Sequence, residues 1–108
     1  MANTYKVLGQ SAPSATTATT LYTCPSNTQT IVSVIVVCNR STATTFRVGV
    51  DVNGAGDGNS DYLAYDTPIG ANETIELGKG ITIDAADLIR IYAGTGNLTF
   101  SVFGEEIT

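Results

Sequence analysis

Oxygen ligands gather most densely in this chain along Asp51-Val-Asn-Gly-Ala-Gly-Asp-Gly-Asn-Ser-Asp61, and the chemistry such a stretch could do is calcium binding. Calcium loops place oxygen donors at alternate positions, a glycine at the sharp turn and a bidentate Glu at the close. Counted from Asp51, Asn53 and Gly56 fall in place, but the fifth position is Ala55 and the twelfth is Tyr62. Counted from Asp57, Asn59 and Asp61 alternate correctly, while Tyr62 is sixth and Pro68 twelfth. Both frames lack the closing carboxylate. The loop is therefore expected to be a glycine-rich connection that tolerates positive φ. A low-affinity calcium site built from Asp51, Asn53, Asp57, Asn59 and Asp61 is the alternative.

Catalytic groups are sparse. The chain has no histidine, so its many Ser and Thr hydroxyls have no evident general base beside them. Glu105 and Glu106 are adjacent, and on a strand they point to opposite faces, which prevents paired acid and base work. Gly78-Lys-Gly80 and Gly94-Thr-Gly96 read as turns and not phosphate cradles, since no helix follows either. Five tyrosines could line a sugar- or peptide-binding surface. Tyr62 and Tyr65, three apart on a strand, are expected to face opposite ways and so to spoil a flat stacking platform. No enzyme activity and no cofactor are expected.

Composition bounds the rest. With 108 residues, 14% charged and 43% hydrophobic, the chain is expected to be one globular domain over 1–108, with room for one modest core. A net charge of −5 with scattered Lys6, Arg40, Arg47, Lys79 and Arg90 offers no stripe to track phosphates, so nucleic acid is not an expected partner. Met1-Ala-Asn-Thr-Tyr-Lys6 has no apolar signal-peptide region, and the longest apolar run, Val34 to Cys38, is too short to cross a bilayer. No membrane partner is expected. Cys24 and Cys38 are read as free thiols: a hairpin would set Cys24 opposite residue 29 or 30, and not opposite 38. The sequons at Asn39, Asn72 and Asn97 are then coincidences of a Thr-rich chain.

The elements that must position these residues are strands. Runs at about 5–10, 19–24, 29–39, 44–53, 61–66, 72–77, 80–84, 88–94 and 97–104 recur with turn chemistry between them and no helical period. That predicts an all-β, antiparallel two-sheet sandwich, jelly-roll-like, of eight or nine short strands. Asp84-Ala-Ala-Asp87 reads as a turn. Phe46, Val48, Val50 and Val52 alternate with polar residues, as do Leu98, Phe100 and Val102, so both strands are half-buried. The strand from Thr30 to Asn39 is apolar on both sides. Simple alternation puts Val32, Val34, Val36 and Cys38 on one face and Ile31, Ile35 and Val37 on the other, so the outer face is expected either to lie under loops such as 53–61 or, the preferred reading, to form a subunit contact. Leu8 and Phe103 are expected to join Ile31, Ile35 and Val37 there. The low-complexity run 11–20 is expected to act with the N-terminal strand as an arm that reaches a neighbour, and Gly9 and Gly104 to bend paired terminal strands.

Leu21-Tyr-Thr-Cys-Pro25, Thr30-Ile-Val-Ser-Val-Ile-Val-Val-Cys-Asn39, Asp66-Thr-Pro-Ile-Gly-Ala-Asn-Glu-Thr-Ile-Glu-Leu77 and Gly80-Ile-Thr-Ile-Asp-Ala-Ala-Asp-Leu-Ile-Arg-Ile-Tyr92 together resemble small β-sandwich structural proteins of tailed-bacteriophage virions. Order and spacing carry the likeness from about 5 to 107, and Cys24 departs from the apolar residue expected there. The resemblance implies a virion protein made in the host cytoplasm, with no catalytic residues to carry over. The expected role is capsid decoration or cement, as a homo-oligomer bound to other virion proteins. A tail, neck or baseplate accessory is the alternative within that group. A carbohydrate-binding host-attachment module is the alternative outside it, and it calls for an exposed aromatic cluster with calcium at 51–61.

Overall fold

A computed structural model describes residues 2–54, 58–78 and 80–108. Nine strands follow in chain order: β1 (Asn3–Ser11), β2 (Thr19–Thr23), β3 (Gln29–Asn39), β4 (Thr44–Asp51), β5 (Tyr62–Ile69), β6 (Thr74–Leu77), β7 (Ile81–Ile83), β8 (Leu88–Ala93) and β9 (Leu98–Ile107). One sheet has the order β1-β9-β3-β6, with β7 also on β3, and the other has β2-β8-β4-β5. All pairings are antiparallel. If β6 and β7 are taken as one interrupted strand, this is the order of a jelly roll. The fold is thus the all-β two-sheet sandwich that the strand grammar predicts. No helix among the described residues is long and apolar enough to cross a membrane.

Alternation builds the core. Val32, Ile35, Val37, Leu98, Phe100 and Val102 face inward from the first sheet, and Phe46, Val48, Ile89 and Ile91 from the second. Phe46 and Phe100 meet edge to face across the gap, with centroids 6.3 Å apart, an arrangement that adds about 0.5–1.5 kcal/mol beyond area burial. Asn39 is buried, and its amide donates to the carbonyls of Thr42 and Gly70 at 2.8 and 2.9 Å. That burial fits the reading of its sequon as a coincidence.

The expected phase of β3 fails at its middle. Between Val32 and Val34 the register against β9 shifts, so Val32 opposes Gly104 and Val34 opposes Phe103. Ser33 is the extra residue of a β-bulge, and one extra residue exchanges the faces of everything beyond it. Ile35 and Val37, expected outside, have no exposed surface. Val34 and Val36 are the partly exposed ones. A matching shift in β1 between Val7 and Gly9 leaves Leu8 partly buried against the core, so it too is not an outward contact. The two bulges flank β9 near Gly104. A Cβ there would collide with the Ile31 carbonyl oxygen, which is why only glycine serves.

The expected arm is a crossing instead. Pro13 is buried and the Thr16 amide donates to the Ala93 carbonyl at 2.8 Å, so 11–20 is tied to its own sandwich as it passes from one sheet to the other. β1 pairs with β9 of the same chain, the pairing of terminal strands expected around Gly9 and Gly104. β2 and β3 lie in different sheets and form no hairpin. Cys24 and Cys38 are both free, and the Cys24 thiol sits 3.2 Å from the Thr30 hydroxyl.

Candidate functional site

The outer face of the first sheet carries an apolar band. Antiparallel partners share a face, so Val7, Phe103 and Val34 form one row across β1, β9 and β3. The next row holds Tyr5, Glu105 and Ile31, and the row on the other side Gln10, Ser101 and Val36. Tyr5 is 78% exposed, Val7 50% and Ile31 40%. Of the five residues expected at a contact, Ile31 and Phe103 are placed here. Val34, Val36, Tyr5 and Val7 were missed. For Val34 and Val36 the only signal was Ser33 interrupting the apolar run.

Between the sheets at one end lies a polar clasp. The Tyr22 hydroxyl donates to Glu106 Oε2 at 2.5 Å and lies 2.8 Å from Thr30 Oγ1, and Lys6 Nζ is 2.8 Å from Glu106 Oε1. Burial first, and then the bond to Glu106, push the Tyr22 phenol well above its ordinary range. The Lys6 ammonium first, and then the Tyr22 hydroxyl, hold Glu106 below the usual carboxylate range. The donor is thus a weaker acid and the acceptor a weaker base than normal, so a proton does not move between them near neutral pH. As its parity predicts, Glu106 points inward, with Glu105 on the opposite face.

The outer face of the second sheet has a different chemistry. In β5 the register against β4 shifts twice, between Thr67 and Ala64 and between Ala64 and Tyr62. These bulges bring Tyr62 and Tyr65 together, with ring centroids 4.8 Å apart and nearly perpendicular planes, contrary to the expectation that they face apart. The Arg47 guanidinium lies 4.2 Å from the Tyr65 centroid and 4.3 Å from that of Tyr92. It donates through Nε and Nη2 to Asp66 at 2.7 and 3.3 Å, and that contact raises its already high pKa. Beside this stack a cleft of about 310 Å3 opens over Gly49, walled by Tyr62, Tyr92, Arg90 and the Thr16–Ala18 crossing.

The calcium candidates do not converge. Asp51 has no exposed surface and is paired with Arg90 at 3.0 Å. Asp61 accepts from the Gly58 amide at 3.0 Å. Asn53 has a positive φ of 57° and its backbone N–H donates to Asp87 Oδ1 at 3.0 Å, while Asn59 begins a 3-10 turn. Asp57 lies outside the described residues. Among those described, no three carboxylates or thiols cluster as metal ligands. A scan against protein-family models finds no match, and neither does a search of curated proteins.

Proposed function

We propose that this chain is a non-enzymatic structural protein of a tailed-phage virion, a decoration or cement protein that docks on the assembled capsid lattice. The observation that carries this reading is the apolar band across β1, β9 and β3, with Val7, Phe103 and Val34 in one row. An apolar band bordered by polar residues suits contact with another protein surface. Jelly rolls occur in viral capsid proteins and in lectins. Because a fold does not dictate a role, the argument rests on the face. Net acidity keeps the free chain soluble before assembly. Copies are expected to group about the symmetry axes of the lattice.

Particles assembled without this chain, mixed with the purified protein and pelleted, test the reading. Binding at hundreds of copies per particle is expected. It should be lost in a Val7→Asp, Val34→Asp double variant whose melting temperature stays close to the parent's. A dozen copies or fewer would assign the chain to the tail, neck or baseplate. Undiminished binding by the folded double variant would remove the face from the argument.

A further inference from the structure

We propose that the cleft over Gly49 on the outer face of the second sheet binds a neutral saccharide unit, with Tyr62 and Tyr92 as its aromatic walls and Arg47 as its principal hydrogen-bond donor. This site is independent of the apolar band on the other sheet.

The geometry is built before any ligand arrives. Arg47 is held between the Tyr65 and Tyr92 rings and fixed by Asp66 through Nε and Nη2. A guanidinium has five N–H donors. Among the described residues Nη1 has no hydrogen-bond partner, and Arg47 lines the cleft. A donor edge clamped in this way needs little ordering on binding.

Charge and size choose the ligand class. Arg47 and Arg90 line the cleft together with Asp51 and Asp61, so the formal charges cancel, and a phosphate or sulfate group gains no net attraction. Such a mixture of donors and acceptors suits hydroxyl groups, each of which both donates and accepts. Tyrosine rings offer an apolar face and a polar tip to a ligand that is itself amphipathic. At about 310 Å3 the cleft stands at the lower end of the ~300–1,000 Å3 typical of small-molecule sites, which fits one or two sugar rings. Gly49 lines the cleft, and a Cβ there would lie 3.2 Å from the Asp61 carbonyl oxygen.

The test is a titration of 15N-labelled full-length protein with lactose, cellobiose and chitobiose, and with a sulfated heparin disaccharide as the charged comparison. At least one neutral disaccharide is expected to shift the amide resonances around Gly49, Tyr62 and Tyr92. Tyr92→Ala and Arg47→Gln should each weaken binding tenfold or more. The Val7→Asp, Val34→Asp double variant should bind the sugar normally, which separates this site from particle docking. No shift with any neutral disaccharide, a response to the sulfated one alone, or shifts centred elsewhere would overturn the proposal.

Discussion

Replacing Val36 and Val37 by alanine, one at a time, asks whether the Ser33 bulge sets the faces of β3. The two substitutions are chemically identical and adjacent on one strand, so differences in intrinsic strand preference largely cancel. Val37 has no exposed surface and packs in the core. Val36 is partly exposed and shares the outer face with Ser101 and Glu76. Val37→Ala removes two buried methyl groups, about 1.6 kcal/mol of transfer free energy. A cavity contribution brings the cost to roughly 2–3 kcal/mol. Val36→Ala should cost no more than about 0.5 kcal/mol. A domain of 108 residues has roughly 5–16 kcal/mol of stability in total, so the first change is a large fraction and the second is small. In melting temperature the larger cost corresponds to a drop on the order of 10–20 °C. Because the chain has tyrosines and no Trp, urea unfolding is followed by tyrosine fluorescence and far-UV circular dichroism, with unchanged slope as the sign that the unfolded state is unaffected. Equal costs, or a larger cost for Val36→Ala, would refute the bulge and restore the uninterrupted alternation.

Two other perturbations read the clasp and the close approach of strands. Glu106 has its folded pKa depressed by Lys6 and Tyr22, so its carboxylate contributes stability above its ordinary value of 4.5, and that contribution is lost as pH falls through the lower folded value. Melting temperature against pH should therefore fall less steeply below about pH 4.5 in Glu106→Gln than in the parent, and equal slopes would count against the clasp. Gly104→Ala drives a methyl into the Ile31 carbonyl and is expected to cost about 1–3 kcal/mol. Gly96→Ala, where a Cβ meets nothing within 4 Å, should be nearly neutral by the same unfolding assay.

Most of the architecture was legible in the sequence because it depends on local rules. Alternation in 44–51 and 98–103 marks an inner and an outer face without knowledge of a partner. The acidic pair Glu105–Glu106 could be split between faces on parity alone. A bulge obeys no such rule. Whether Ser33 counts as a step or as an extra residue is decided by the register that β9 allows, and a Ser that interrupts an apolar run fits either. The same ignorance set Tyr62 and Tyr65 apart when two bulges in β5 join them. The stretch from Cys24 to Thr28 resembles a hairpin turn because turn residues look alike whether the chain folds back within a sheet or passes to the opposite one. The run 11–20 has a composition that signals only a lack of regular structure, and its anchoring depends on Pro13 and on the Thr16 bond to Ala93.

The two bulged regions do related work on opposite sides of the molecule. At Ser33 and Leu8 the extra residues turn Val34 outward beside Phe103 and draw Leu8 partly inward, so the first sheet gains a continuous apolar row. In β5 they turn Tyr62 and Tyr65 to one side, where the rings and Arg47 can assemble. A regular ladder would have turned Val34 inward and set Tyr62 and Tyr65 on opposite faces, so neither surface would have its present residues. Packed sheets stand about 10 Å apart, so an occupant of one outer face leaves the other open. Cementing a lattice through the first sheet and holding a sugar on the second are therefore compatible in one copy. If the chain docks as proposed, through Val7 and Val34, the Gly49 cleft on the opposite sheet would face away from the particle.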